Sequence, residues 1–299
     1  MERFGFTDSE GVFIRCYKWL PDTKPVAVVQ IVHGMMEHAR KYSAFAEFLN
    51  SHSIAVYAHD HRGHGETIVD NDFGYYGKGG FNLAVENTYE VTKIIKSDFP
   101  ELPNYIFAHS MGSFVTQRFI QNYGKEIHKC ILCGSDGPDF LYFLGRVVAK
   151  IITFFRGDRH YSKFLDKMAF GSYNKKTKNA TNKDWLTRDD SKVDKYVNDP
   201  LCGKTVTASF FYELSKGMDQ NFYKKNLKKI PKELPVFIIS GDMDPVGKYG
   251  KGVLKLFDVY QKLGLKNVKM KLYEGARHEL INEINKEEIM KDIYDFLLS

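Results

Sequence analysis

The strongest constraint on the fold is a regular alternation of short apolar runs and helical stretches between residues 26 and 135. Continuous apolar runs of this length are typical of strands that are buried on both faces. Strands joined by helical crossovers form a parallel sheet with helices on both sides. The pattern resumes near residue 234 and ends in a helix over 285–298. The predicted strands are 26–32, 53–60, 105–108, 130–135, 234–242 and 268–275.

Two regions depart from this alternation. Residues 3–21 predict a hairpin that turns at Ser9-Glu10-Gly11. Residues 137–229 contain several helical stretches and no clear strand. We therefore predict an α/β fold with a mostly parallel, doubly wound sheet, in which 1–136 and 230–299 form the core. The 137–229 segment is then a helical cap inserted over the carboxyl ends of the strands.

The charge of the 137–229 segment differs from that of the rest of the chain. It has 19 Lys and Arg against 10 Asp and Glu, a net +9, while the whole chain of 299 residues carries +6. Its apolar stretch 140–157 predicts either a cap helix packed on the core or a lid that touches lipid. The basic surface fits contact with an anionic membrane and equally an ordinary solvated surface.

The amino-terminal residues are polar, and no apolar run is long enough to span a membrane. Only four cysteines are present, without the spacing of a disulfide framework. These features favour a cytoplasmic protein that contacts a membrane peripherally, if it does so at all. No nucleic-acid partner is expected.

A serine stands at the end of the predicted strand 105–108, in the stretch Y-I-F-A-H-S-M-G-S-F. Ser110 lies between Ala108 and Gly112, and helical sequence follows it. This approximates G-x-S-x-G, a sharp strand-to-helix turn that exposes a serine hydroxyl. A serine at a strand end is often structural, but the strand before it and the helix after it favour a nucleophile.

A serine nucleophile needs a base, and the base needs an acid that orients it. His278 lies between the last predicted strand and the last helix, which fits the chain order Ser, Asp, His. Asp242 and Asp244 both follow strand 234–242. We favour Asp244, because it lies further into the loop and can turn towards His278, whereas Asp242 is better placed to cap the turn.

A tetrahedral intermediate also needs fixed hydrogen-bond donors for its oxyanion. The backbone N–H of Met111, directly after Ser110, is one candidate. The second is expected from the loop after strand 26–32, which begins H-G-M-M-E. Gly34 lets this backbone turn sharply, and so the N–H of Met35 is the second candidate.

Two patterns superficially suggest metal or redox chemistry. His59, His61 and His64 form H-x-H-x-x-H, but a glycine stands where a metallo-β-lactamase-type site would have an aspartate. Cys130 and Cys133 form C-x-x-C without a second pair. We interpret the histidines as part of a structural loop and the cysteines as buried thiols, and we expect no metal.

Six motifs in register resemble the monoacylglycerol lipase and lysophospholipase branch of the α/β-hydrolases, which is similar to the S33 serine aminopeptidases. They cover the chain from about residue 26 to 290. Met36 and Ala108 stand where that branch usually has glycine. The motifs are HGMMEHARKY, HDHRGHGET, AHSMGS, WLTRDDSKVDKYVNDPLCG, GDMDPV and YEGARHELINE.

The resemblance implies a serine ester hydrolase of the α/β-hydrolase fold that acts on small lipid esters without a cofactor. It implies a triad of Ser110, Asp244 and His278, with oxyanion donors at Met35 and Met111. It also implies that Gly34 and Glu37 contact substrate. A serine aminopeptidase or short-chain esterase of the same fold stays open as an alternative. A non-catalytic binding protein and a metal-dependent hydrolase are the further alternatives.

Overall fold

The computed structural model describes residues 1–68, 72–178 and 180–299. Its centre is an eight-stranded sheet with the strand order β1-β2-β4-β3-β5-β6-β7-β8. The six strands from β3 to β8 run parallel, and the β1–β2 hairpin joins them antiparallel through β4. The strands are β1 Glu2–Thr7, β2 Phe13–Trp19, β3 Ala27–Val32, β4 Ile54–His59, β5 Asn104–His109, β6 Lys129–Cys133, β7 Val236–Gly241 and β8 Val268–Tyr273.

Helices cover both faces of this sheet, which confirms the predicted doubly wound arrangement. Every residue of β3, β4, β5 and β7 is buried, as their continuous apolar runs predict. One apolar layer packs α2, α3 and α9 on the sheet, and a second packs α1 and α10 on the opposite face. These helices are α1 Ser43–Ser51, α2 Gly80–Asp98, α3 Met111–Tyr123, α9 Lys251–Lys262 and α10 Lys286–Leu298.

The 137–229 segment is helical, and its described residues contain no strand beyond one isolated bridge. Asp139 starts its longest helix by accepting a hydrogen bond from the backbone N–H of Leu141 at 2.7 Å. No helix in the described ranges is long and apolar enough to cross a membrane. The helices of this segment are α4 Phe140–Arg156, α5 Lys163–Phe170, α6 Asp190–Asn198, α7 Ala208–Asn221 and α8 Lys224–Leu227.

The strand predicted over 130–135 ends two residues earlier than expected. It stops at Cys133 because Gly134 adopts a positive φ of 60°, which breaks the extended backbone. A Cβ on Gly134 would lie 3.0 Å from the ring of His278. This turn therefore leaves room for the loop that carries His278. Cys130 and Cys133, like the other two cysteines, are buried free thiols.

Candidate active site

Ser110 occupies the turn between β5 and α3 in a strained conformation. Its φ of 50° and ψ of −120° are unusual for any residue other than glycine. Its backbone N–H donates to the carbonyl of Cys133 at 2.9 Å, which fixes the turn to the neighbouring strand. A Cβ on Gly112 would lie 2.1 Å from the carbonyl oxygen of Val32. Only glycine therefore fits here, and α3 starts directly against the end of β3.

His278 and Asp244 form a buried hydrogen-bonded pair. His278 Nδ1 lies 2.9 Å from Asp244 Oδ2, and the side chain of Asp244 is completely buried. The same carboxylate accepts hydrogen bonds from the backbone of Val246 at 2.8 Å and from Ser240 Oγ at 3.1 Å. Burial alone would raise the pKa of Asp244, but His278 and these donors lower it below its ordinary value. The aspartate is therefore ionised at neutral pH.

Asp242 is engaged elsewhere. Its Oδ1 accepts a hydrogen bond from the backbone N–H of Gly275 at 2.8 Å, so it ties the loop after β7 to the turn after β8. The capping role predicted for this residue matches its contact. Of the two aspartates in G-D-M-D-P, Asp244 is the one whose carboxylate contacts His278.

Two aromatic rings that the sequence reasoning did not single out hold His278 between them. The ring centroid of His109 lies 4.6 Å from that of His278, and the centroid of Trp185 lies 5.0 Å away. The backbone carbonyl of Trp185 also accepts from the N–H of His278 at 3.4 Å. Both residues stand inside quoted motifs, A-H-S-M-G and W-L-T-R-D-D. Their proximity to His278 depends on the tertiary fold, which the motifs do not reveal.

The loop formed by residues 33–38 lies directly beside Ser110. A Cβ on Gly34 would lie 3.1 Å from Ser110 Cβ and 2.7 Å from Glu37 Oε1, so a side chain at position 34 would crowd the nucleophile. Met35 and Met111 border the same cavity as Ser110 and His278. The two residues expected to supply oxyanion donors are therefore brought to the site.

Glu37 anchors this loop from below. Its carboxylate accepts hydrogen bonds from the Gly34 N–H at 2.6 Å, Tyr42 Oη at 2.6 Å and Lys41 Nζ at 2.8 Å. His109 Nδ1 lies 3.1 Å away. Burial would raise the pKa of Glu37, but Lys41 and His109 hold it well below its ordinary value. Glu37 borders the cavity, yet its oxygens are occupied by the protein's own donors.

Met36 links the 33–38 loop to the 137–229 segment through its backbone carbonyl. Its φ of 60° lies in the left-handed region, which favours glycine. The backbone of this methionine is therefore strained. Its carbonyl accepts hydrogen bonds from the N–H of Gly203 at 2.9 Å and from Tyr196 Oη at 3.0 Å. The segment therefore holds the loop in the conformation that places Gly34 against Ser110.

A cavity of about 610 Å³ opens above Ser110 and His278. The core contributes the base of the cavity, and helices α4, α5 and α7 contribute its walls. Apolar side chains predominate in the lining; they include Phe114 from α3 and, from the walls, Leu144, Leu165, Met168, Phe211, Leu214 and Met218. A cavity of this size and lining suits a ligand with a sizeable apolar group.

The histidines of H-x-H-x-x-H are buried behind the 33–38 loop. The ring centroids of His59 and His61 are 4.8 Å apart, and the ring of His33 packs against that of His61 in a tilted arrangement with centroids 4.4 Å apart. Neither ring nitrogen of His59 has a hydrogen-bond partner in the described part of the chain. Burial lowers the pKa of His59 and of His64 to about 4, so both are neutral at pH 7. The structural interpretation of this motif stays a prediction.

The chain is similar to known proteins over most of its length. A family model described as "Serine aminopeptidase, S33" matches residues 23–285. A monoglyceride lipase homolog from Monkeypox virus is 28% identical over 298 residues, covering 96% of this chain and 95% of the relative. A monoacylglycerol lipase from Mycolicibacterium smegmatis is 26% identical over 303 residues, covering 98% and 96%. A carboxyl esterase from Bacillus coagulans superposes with a TM-score of 0.92 at 28% identity, covering 99% and 97%.

The buried histidines predict a specific acid sensitivity. The pKa of His59 is about 4 in the folded state against 6.5 ordinarily, so the unfolded chain binds the proton more readily. The contribution of neutral His59 to the free energy of unfolding is fully present above pH 6.5. It is lost as the pH falls from 6.5 towards 4. We expect His59→Asn to reduce the dependence of the unfolding free energy on pH in this window by up to about 1.4 kcal/mol per pH unit.

Urea denaturation at several pH values between 4.5 and 7.5 measures this slope. Phe107→Leu is the matched control, because it replaces a buried ring on β5, two strands away from β4 in the sheet, with a smaller apolar side chain and removes no titratable group. It should lower stability by a similar amount at every pH. An unchanged slope in His59→Asn would contradict the expected protonation of His59 on unfolding.

Proposed function

Since this chain belongs to the family described as serine aminopeptidase, S33, we propose that it hydrolyses carboxylic esters of small lipids through an acyl-enzyme on Ser110. The protein is a hydrolase with the α/β-hydrolase fold, related along its whole length to monoglyceride lipases and a carboxyl esterase. The observation that carries the proposed mechanism is the buried Asp244–His278 pair, which borders the cavity that Ser110 enters from its strained turn.

In the first half-reaction, Ser110 Oγ attacks the acyl carbon of the ester while His278 Nε2 takes the hydroxyl proton. Asp244 receives the hydrogen bond from His278 Nδ1–H, which keeps Nε2 free to accept that proton. The backbone N–H groups of Met35 and Met111 stabilise the oxyanion. His278 then protonates the leaving alcohol as the carbon–oxygen bond breaks, and the acyl group stays on Ser110.

In the second half-reaction, His278 removes a proton from water, and the resulting hydroxide attacks the acyl carbon. Collapse of this intermediate releases the carboxylic acid and returns the proton to Ser110. No metal ion or organic cofactor takes part. We propose that Gly34 contributes by leaving space beside the substrate. Glu37 contributes by holding the N–H of Gly34, which fixes the position of the 33–38 loop.

The charges around the cavity favour an ester with an apolar acyl group over an aminoacyl substrate. An aminopeptidase needs a free carboxylate to bind the substrate's ammonium group. Four carboxylates border the cavity, and each is already paired with a lysine of the protein. Lys41 binds Glu37 and Glu279, and Lys248 binds Asp136 and Asp139.

We propose monoacylglycerols as the first substrates to test and lysophospholipids as the second. Relatives that match the whole chain are named as lipases of monoacylglycerols, which is the support for the first class. The net charge of +9 in the 137–229 segment suits the phosphate of the second. Initial rates on both classes, on short p-nitrophenyl esters and on aminoacyl amides distinguish lipase, esterase and aminopeptidase.

Replacing the nucleophile provides the central test. We expect Ser110→Ala to lower kcat on any hydrolysed ester by several orders of magnitude, because no other group can form the acyl-enzyme. Circular dichroism should show an unchanged fold. Trapping of wild-type protein by a fluorophosphonate probe, read by mass spectrometry, should place the adduct on Ser110. Near-normal turnover by folded Ser110→Ala would exclude the proposed mechanism.

The two aspartates after β7 provide a matched pair. Asp244→Asn should reduce kcat by about 10⁴-fold, since an amide no longer holds His278 in the required tautomer. Asp242→Asn keeps an acceptor for the N–H of Gly275 and should leave kcat within a few-fold of wild type. Steady-state kinetics on one short ester ranks the two variants. The reverse ranking would show that Asp244 is not the acid of the triad.

The outer face of α4 supports the proposed contact with membranes. Phe154 and Phe155 are 82% and 76% exposed, and Phe140 and Ile151 are exposed on the same helix. Basic residues Lys150, Arg156, Lys163 and Lys167 are exposed on α4 and α5. An exposed apolar face surrounded by cations is typical of helices that lie at an anionic interface.

We propose that the 137–229 segment acts as a cap that enters a lipid surface from the cytoplasmic side, where free thiols such as those of this chain persist.

Sedimentation with lipid vesicles tests this cap. We expect more binding to phosphatidylserine-containing vesicles than to pure phosphatidylcholine, and less difference at high salt, because salt screens surface charge. Phe154→Ser/Phe155→Ser should lose binding while keeping turnover of a short soluble ester. Val26→Ser is the control. Val26 is 51% exposed and directly precedes β3, at the amino ends of the parallel strands, whereas the active site lies at their carboxyl ends. If both variants bound the vesicles equally, the 137–229 segment would be a lid that does not contact the membrane.

A further inference from the structure

Three metal-ligating side chains meet where the 33–38 loop touches the 137–229 segment. They are His38, Asp199 and Cys202, and one ligand atom from each lies within 4.8 Å of the others. This is the one such group that the described residues form. His38 and Asp199 are 161 positions apart in the chain, so no local motif announces the cluster.

We propose that this cluster is a binding site for Zn²⁺ or a chemically similar divalent ion. A ring nitrogen, a carboxylate oxygen and a thiolate are the ligand types that zinc binds, with water as a fourth ligand. Donor atoms around a tetrahedral zinc with bonds of about 2.0–2.3 Å lie roughly 3.3–3.8 Å apart. The cluster therefore needs only small side-chain adjustments to close on an ion.

The side chains retain capacity for an additional ligand bond. His38 Nε2 lies 2.9 Å from Asp199 Oδ2, while His38 Nδ1 is buried and has no hydrogen-bond partner in the described part of the chain. Asp199 uses its other oxygen to accept from the N–H of Leu201 at 2.8 Å, which fixes the carboxylate on its own loop. His38 therefore has one ring nitrogen directed at Asp199 and a second that makes no hydrogen bond within the described residues, so the ring can turn towards an ion without losing a contact at Nδ1.

Asp199 supplies the carboxylate of this cluster, because the nearby Glu37 and Glu279 are already paired with Lys41. The thiol is 7% exposed, while the side chain of Asp199 is 31% exposed and provides a route from solvent.

An ion at this position would have a structural consequence. It would join the same two segments that the hydrogen bond between Gly203 N–H and the Met36 carbonyl joins. Occupancy would therefore fasten the 137–229 segment to the loop beside Ser110. The ion takes no part in the proposed hydrolysis, so this site is an addition to that function.

Titration of tag-free, metal-depleted protein with Co²⁺ and Zn²⁺ tests the proposal. Co²⁺ should bind as one equivalent and produce a thiolate-to-cobalt charge-transfer band together with the visible bands of a four-coordinate ion. Zn²⁺ should displace it, and competition with a chromophoric chelator gives the affinity. The measurement contains no ester, so its result is independent of the proposed hydrolysis.

Four variants assign the ligands. Cys202→Ala should abolish the charge-transfer band, and His38→Asn and Asp199→Asn should each weaken Zn²⁺ binding more than about 100-fold, since even outer-sphere changes cost 10–100-fold. Asp199→Asn keeps the acceptor for Leu201, which guards against misfolding. Cys130→Ala removes a buried thiol from the sheet and should leave binding unchanged. Absence of one-equivalent binding in wild type, or retention of the band in folded Cys202→Ala, would overturn the proposal.

Discussion

The contact between the start of α3 and the end of β3 is the constraint on which the site depends. A Cβ at Gly112 would lie 2.1 Å from the carbonyl of Val32, so helix and strand approach as closely as two backbones can. This approach forces Ser110 into a positive φ and projects it beyond the sheet. It also places Ser110 beside Gly34, where an added Cβ would lie 3.1 Å from the Cβ of Ser110. The strain at Ser110 is therefore maintained by this packing together with the hydrogen bond from the Ser110 N–H to the carbonyl of Cys133.

The other half of the site is organised by buried charges. Asp244 is fully buried and is stabilised by donors from its own loop as well as by His278. Under the 33–38 loop, the carboxylate of Glu37 accepts hydrogen bonds from the loop backbone, from Tyr42 and from Lys41. Buried carboxylates are tolerated only when such donors surround them. The donors consequently specify one position for each loop, which gives the site its rigidity.

Much of the fold and of the candidate site could be predicted from the sequence, because both are encoded locally. Apolar runs define strands, and parallel strands bring Ser110, Asp244 and His278 to one edge. The roles of these three residues remain predictions that their placement supports. Contacts made across the fold could not be predicted: the rings of His109 and Trp185 around His278, and the link from Gly203 to Met36. Such contacts depend on how the 137–229 segment packs on the sheet. The periodicity of apolar residues predicts helices and strands but not how they pack against each other.

The link between Met36 and the 137–229 segment has a consequence for the loop beside Ser110. Met36 adopts a left-handed backbone while Gly203 and Tyr196 bind its carbonyl. Any motion that separates residues 196–203 from the 33–38 loop breaks both hydrogen bonds, and the strained Met36 then loses the contacts that hold it. The position of these residues and the shape of the loop beside Ser110 are therefore coupled, so that a change in either one alters the other.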